Sequence, residues 1–241
     1  MLKDFTKETF DIIIQAGQSN ACGRGFGKAS KPYQATYKVW YMEQDFTFCI
    51  ARELVVGNEI VSDFSLSFAE EYIRNNHLKN GRKLLILRTA VGGTCFSGGH
   101  WGLTDNLYLQ MIEMAKIALD LNPANKIAAM LWHQGENDAV NNVTYEYYHE
   151  HLTKLINSVR ETFGNIPFIA GNFVQDEWMN DYLESAANII RVQREVCSAF
   201  VETDGLQSNK ILGNNDTVHF CREALHQLGV RYYNAFAELE E

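Results

Sequence analysis

The stretch Phe10-Asp11-Ile12-Ile13-Ile14-Gln15-Ala16-Gly17-Gln18-Ser19-Asn20-Ala21 decides how this chain is read. Residues 10–16 form a mostly apolar run. Hydrophobicity that is continuous rather than alternating fits a parallel strand covered on both faces. A glycine and three polar or small residues follow at once. Further runs of this kind stand at 84–87, 127–132 and 168–170. Helix-like stretches lie between and after them, at 65–77, 107–121, 145–163, 186–200 and 222–239. The clearest repeats Tyr148, Leu152, Leu155, Ile156 and Val159 at intervals of three and four. Strand–helix alternation implies an α/β fold, an open parallel sheet with helices on both faces. Residues 37–60 interrupt the pattern and are expected to form short antiparallel excursions. No internal repeat, low-complexity tract or linker divides the chain, so one domain over residues 1–241 is expected.

Composition narrows the function. The chain has 241 residues, 21 Lys+Arg against 30 Asp+Glu, and a formal net charge of −9. That balance argues against nucleic-acid and anionic-membrane partners, which call for clustered cations. No apolar run is long enough to span a bilayer. With 46% hydrophobic and 12% aromatic residues the chain can build a core and is not disordered. Its five cysteines (Cys22, Cys49, Cys95, Cys197, Cys221) are odd in number and contain no C-x-x-C pair. Neither a disulfide framework nor a zinc ribbon is indicated, and free thiols are expected. The opening Met-Leu-Lys-Asp-Phe-Thr-Lys-Glu reads as no secretory leader, so a cytoplasmic location is expected.

Ligands of open parallel sheets bind beyond the carboxyl ends of the strands, so the residues after each apolar run carry the information. They are Gly17-Gln18-Ser19-Asn20, Arg88-Thr89-Ala90-Val91-Gly92-Gly93-Thr94 and His133-Gln134-Gly135-Glu136-Asn137-Asp138. Asp216-Thr217-Val218-His219-Phe220 precedes the last helix. Ser19 is the candidate nucleophile; a serine hydroxyl needs a base at neutral pH, and His219 can serve. Asp216 lies three residues before His219, where one turn lets its carboxylate reach the imidazole. Acyl transfer also needs donors aimed at the developing oxyanion. The backbone N–H groups of Ser19 and Gly93 are candidates, with the Gln134 amide as a third and Asn137 as its substitute.

These four blocks, in this order, resemble those of the SGNH hydrolase superfamily, most of all its sialate O-acetylesterase-like and acetylxylan esterase branch, carbohydrate esterase family six. The resemblance runs from about residue 12 to residue 221 and includes Ser67-Phe68-Ala69. It implies a flavodoxin-like three-layer α/β/α sandwich and cofactor-free hydrolysis of O-acetyl esters on sugars. It also implies Ser19 as nucleophile, His219 as base, Asp216 as its orienter, and Gly93 and Gln134 as oxyanion donors. Glu136 matches the acid of the third block, expected to support the histidine or its loop, with Gln18 and Asn20 beside it. The superfamily's usual Asn in the catalytic block is replaced here by Gln134-Gly135-Glu136. The substrate expected is a small or oligosaccharide acetyl ester.

Other readings weigh less. Gly23, Gly25 and Gly27 with Lys28 invite a phosphate loop, but Cys22 and Ala29 stand where a Walker motif needs Gly and Ser or Thr. His133, Glu136 and His219 do not form a zincin pattern, and no metal is expected. Asn142-Val143-Thr144 and Asn215-Asp216-Thr217 are formal sequons that matter only on secretion. Trp101 is the candidate for stacking on a sugar, and Arg24 for a substrate carboxylate. Trp40, Trp132 and Trp178 are expected in the core. A carbohydrate-binding pseudoenzyme and an esterase or thioesterase for lipid substrates are the rivals; polar, Gly-rich loops disfavour the latter.

Overall fold

The structure, a computed structural model, describes residues 4–79 and 81–240. Residues 1–3, part of the leader reading above, and residue 241 lie outside it. The elements run in order β1 (Thr9–Gly17), α1 (Ser19–Cys22), β2 (Val39–Met42), β3 (Phe48–Ile50), β4 (Leu54–Val56), β5 (Glu59–Val61) and α2 (Phe64–Arg74). There follow β6 (Arg82–Arg88), α3 (Asn106–Asp120), β7 (Lys126–His133), α4 (Glu136–Val140) and α5 (Tyr145–Phe163). The chain continues through β8 (Phe168–Gly171), α6 (Leu183–Val196), β9 (Ala199–Val201) and α7 (Arg222–Glu240).

β1 is buried from Phe10 to its end because it lies in the middle of a seven-stranded sheet of order β3-β2-β6-β1-β7-β8-β9. Every neighbouring pair is parallel except β2 with β3. From β6 to β9 the order is flavodoxin-like, with β2 and β3 added at the β6 edge. Helices flank the sheet: α2 packs on α7, and α5 on α6. The Tyr108–Ser158 hydroxyl pair ties α3 to α5 at 2.5 Å. The expected α/β/α layering is what is found.

Two polar residues inside β1 find buried partners. Asp11 accepts from Tyr72 Oη at 2.9 Å and from Arg82 Nε at 2.7 Å. Gln15 donates to the Ala21 carbonyl at 2.6 Å, tying the strand to the turn that follows it. Buried polar groups persist where such partners exist.

Two expectations are corrected. Residues 37–60 are not only antiparallel excursions: β2 joins the main sheet parallel to β6, and all four of its residues are buried. The stretch 186–200 is not one helix. It breaks at Cys197-Ser198, where Ser198 N–H donates to the Phe168 carbonyl at 2.8 Å and the chain enters β9.

The sheet also determines where a ligand can sit. From β1 the chain moves toward β6, then returns across β1 to β7, so the strand order reverses between β1 and β7. That crevice is the binding position of open α/β sheets. β1 ends at Gly17 and β7 at His133, and the two residues are register partners.

Candidate active site

Ser19 reaches this crevice because Gly17 turns the chain sharply off β1. Gly17 has φ +126°, and a Cβ there would lie 2.1 Å from the His133 carbonyl oxygen, so only glycine fits. The Gln18 N–H then donates to the same carbonyl at 2.9 Å, and the Val91 N–H donates to the Gly17 carbonyl at 3.1 Å. The ends of β1 and β7 and the loop after β6 are thereby laced together. Ser19 opens the single turn of α1 and is 6% exposed.

His219 comes from the opposite end of the sequence. Its Nε2 lies 2.9 Å from Ser19 Oγ, and its Nδ1 lies 3.0 Å from both carboxylate oxygens of Asp216. A carboxylate can only accept, so Nδ1 carries the hydrogen and Nε2 presents its lone pair to the serine hydroxyl. Asp216 also accepts from the Val218 and His219 N–H groups at 3.2 and 3.1 Å. Burial alone would raise the Asp216 carboxyl, but the hydrogen bond from Asn209, with His219 beside it, outweighs this and holds it below the usual carboxylate range.

Asn209 has no signature in the sequence, yet its side chain joins three segments. Its Nδ2 donates to Asp216 at 3.0 Å and to the Arg24 carbonyl at 2.8 Å, and its Oδ1 accepts from the Phe26 N–H at 3.1 Å. Asn20 does similar work from the other side. Its Nδ2 donates to Glu136 Oε1 at 2.7 Å and to the Val218 carbonyl at 3.1 Å, while its Oδ1 accepts from the Phe220 N–H at 3.1 Å. Gln18 supports the neighbouring element: its Oε1 accepts from the N–H groups of Gly135 and Asn137, at 3.4 and 3.3 Å, at the start of α4.

Two expected site residues are placed elsewhere. Trp101 is 0% exposed, packs edge-on against Trp132 with centroids 5.1 Å apart, and donates to Thr94 Oγ1 at 3.0 Å. It is a core residue and presents no face to a sugar. The Gln134 amide is also buried, and its Nε2 donates to Asp138 at 2.8 Å, with Gln18 and Thr94 oxygens at 3.4 Å. Both amide hydrogens are committed, so it is not an oxyanion donor. Asp138, given no role from sequence, is the reason. Its carboxylate also accepts from the Phe96 and Ser97 N–H groups at 2.9 Å each, shaping the loop after Gly93. An acid at the start of a helix was the only signal for it.

The cleft side is occupied instead by Asn137, whose Nδ2 donates to the Gly93 carbonyl at 2.9 Å. The N–H groups of Ser19 and Gly93 donate to no other described residue. Gly92 brings the backbone against the serine: a Cβ on it would sit 3.5 Å from Ser19 Cβ and 3.8 Å from the Arg24 guanidinium. Arg24 is thus at the rim, exposed and in no ion pair among the described residues. A cavity of about 560 Å³ continues from Gly92 and Gly93 along Thr94, His100, Asp105 and Asn106. A larger one, about 770 Å³, lies along α6 and is lined by none of the candidate residues.

Comparison with known proteins agrees with this architecture. The family model described as carbohydrate esterase, sialic acid-specific acetylesterase, matches residues 9–238. A protein of Arabidopsis thaliana named as a probable carbohydrate esterase is 26% identical over 247 residues, covering 93% of this chain and 89% of that protein. Among solved structures, NanS superposes with a TM-score of 0.81 at 15% identity, covering 97% of this chain and 98% of its own. A lipase/acylhydrolase from Enterococcus faecalis gives 0.52 at 12% identity, covering 95% and 96%. At these identities the structural likenesses bear on the fold alone.

Proposed function

This chain belongs to the carbohydrate esterase, sialic acid-specific acetylesterase family, and from that premise we propose that it is a serine esterase removing O-acetyl groups from a carbohydrate. One observation carries the reading: Ser19 Oγ lies 2.9 Å from an imidazole nitrogen whose opposite nitrogen is held by Asp216. Ser19 attacks the ester carbonyl while His219 Nε2 takes its proton. The carbonyl oxygen becomes an oxyanion within reach of the Ser19 and Gly93 N–H groups, and of Asn137 in place of Gln134. His219 then returns the proton to the leaving sugar hydroxyl, and acetyl-Ser19 remains. Water, deprotonated by the same imidazole, releases acetate.

The cleft supports a sugar over a lipid chain. The cavity beside Gly93 sets Thr94, His100, Thr104, Asp105 and Asn106 beside the apolar Val91 and Leu107, a mixed wall of the kind that takes a sugar's hydroxyls together with its ring face. Arg24 at the rim suits one substrate carboxylate. The intact Ser19–His219–Asp216 geometry speaks against a binding protein without turnover.

Hydrolysis of p-nitrophenyl acetate tests this. Ser19→Ala is expected to lose about a thousandfold or more in kcat, and a serine-directed phosphonate should label wild type but not the variant. Equal turnover by both proteins, or no turnover of any acetyl ester by wild type, would refute it.

A further inference from the structure

Behind Ser19 and His219, on the side away from solvent, a second polar cluster sits at the crevice. His133, the last residue of β7, is 0% exposed. The Tyr232 hydroxyl donates its one hydrogen to the Trp132 carbonyl at 2.7 Å, so toward His133 Nδ1, 3.1 Å away, it can only accept. His133 therefore carries its hydrogen on Nδ1, and Nε2 is a bare acceptor. That Nε2 has no partner among the described residues and faces Glu136, whose Oε1 is 3.8 Å away. Glu136 is 1% exposed; its Oε1 is taken by Asn20, and its Oε2 has no partner.

Two acceptors, Nε2 and Oε1, thus face each other with no hydrogen between them, and both Nε2 and the other carboxylate oxygen, Oε2, are buried without a partner among the described residues. An ion pair is a poor resolution. It would bury two charges 3.8 Å apart without a hydrogen bond, where desolvation exceeds the attraction. A proton on the carboxyl turns one of its oxygens into a donor and so supplies the hydrogen that Nε2 lacks. Burial pushes in the same direction, raising the Glu136 carboxyl against the opposing bond from Asn20 and lowering His133 to about 3.

We propose that Glu136 is a neutral carboxylic acid in the folded protein, its hydroxyl turned toward His133 Nε2, and that in this form it is the positioning residue for His219. A small rotation of the carboxyl, or one bridging water, closes the separation. With its hydrogen directed to His133, Glu136 still offers Asn20 an acceptor oxygen. Asn20 in turn holds the residues on both sides of His219, through the Val218 carbonyl and the Phe220 N–H. The titratable groups around Glu136 are His133 of β7, Tyr232 of α7, and His219 of the preceding loop; α1 contributes only the uncharged Asn20.

The kinetic half of this inference rests on the reading of His219 as base; the proton itself does not. A carboxyl raised on folding keeps its proton where the unfolded chain has released it, so its contribution to stability falls as pH rises above the ordinary carboxylate range. Glutamine mimics the neutral acid, accepting from Asn20 and donating to His133, and does not titrate. The melting temperature of Glu136→Gln relative to wild type should therefore rise by a few degrees between pH 5 and pH 8. A flat or falling difference would show that the carboxyl is ionised and overturn the proposal. In the kinetic arm, Glu136→Gln should keep kcat at least tenfold above that of Glu136→Leu, with KM alike in the two. Equal loss in both variants would end the positioning role. Should wild type itself be inert on every ester, the esterase reading fails while the melting comparison still decides the proton.

Discussion

Asn209 shows how much of the site depends on residues that do no chemistry. Its amide reaches Asp216, the Arg24 carbonyl and the Phe26 N–H, and so joins the aspartate of the His219 loop to the segment at the cleft rim. Asn209→Ala should lower kcat ten- to a hundredfold while Ser19 remains in place, because the loop loses its second anchor and Asp216 loses a donor that holds its charge. Steady-state kinetics together with phosphonate labelling would check this: activity near wild type would mean that Asn20 alone is enough. That Ser19, Asp216 and His219 meet was legible because a serine–imidazole–carboxylate arrangement restricts residue type and parallel strands restrict position. Asn209 and Asp138 were not, since an amide or acid serving backbone groups follows no spacing rule and its partners are distant in sequence. Gln134 and Trp101 were misread for a related reason. A polar or aromatic side chain just past a strand can turn to the cleft or to the core, and only its neighbours decide which.

At the level of elements, α2 and α7 meet closely enough to require a glycine. A Cβ on Gly229 would lie 2.0 Å from the Phe64 carbonyl oxygen and 2.1 Å from Ser67 Oγ. Helix propensity alone favours Gly229→Ala by up to about 1 kcal/mol. The collision reverses the sign, since both obstacles belong to the start of a buried helix capped by Asp63. A net loss of about 2 kcal/mol is expected, read as a lower denaturant midpoint at unchanged slope; a more stable variant would show that the helices can separate freely. This contact lay beyond the sequence, although both helices were visible as amphipathic stretches. Elements with long periodic or continuous patterns, β1, β7 and α5 among them, were read with little error. β2 and β9 were missed as members of the sheet because four and three residues are too few to show a period.

Over the whole molecule the sheet is assembled from distant parts. β1 pairs with β6 and β7, matching Thr9 to Arg82 and Gly17 to His133, and Ser19 meets His219 across 200 residues. Long-range parallel pairing closes large loops before any contact rewards them, which slows folding. After dilution from urea, esterase activity should therefore return with the slowest phase seen by near-ultraviolet circular dichroism. Activity that reappears before that phase would mean that the site forms without the full sheet. The same geometry has a consequence during synthesis. Ser19 leaves the ribosome 200 residues ahead of His219, so a chain that stalls between them carries a hydroxyl without the imidazole that faces it. On the proposed mechanism, interrupted translation then yields inert fragments, and hydrolysis waits for a molecule whose synthesis has passed its base.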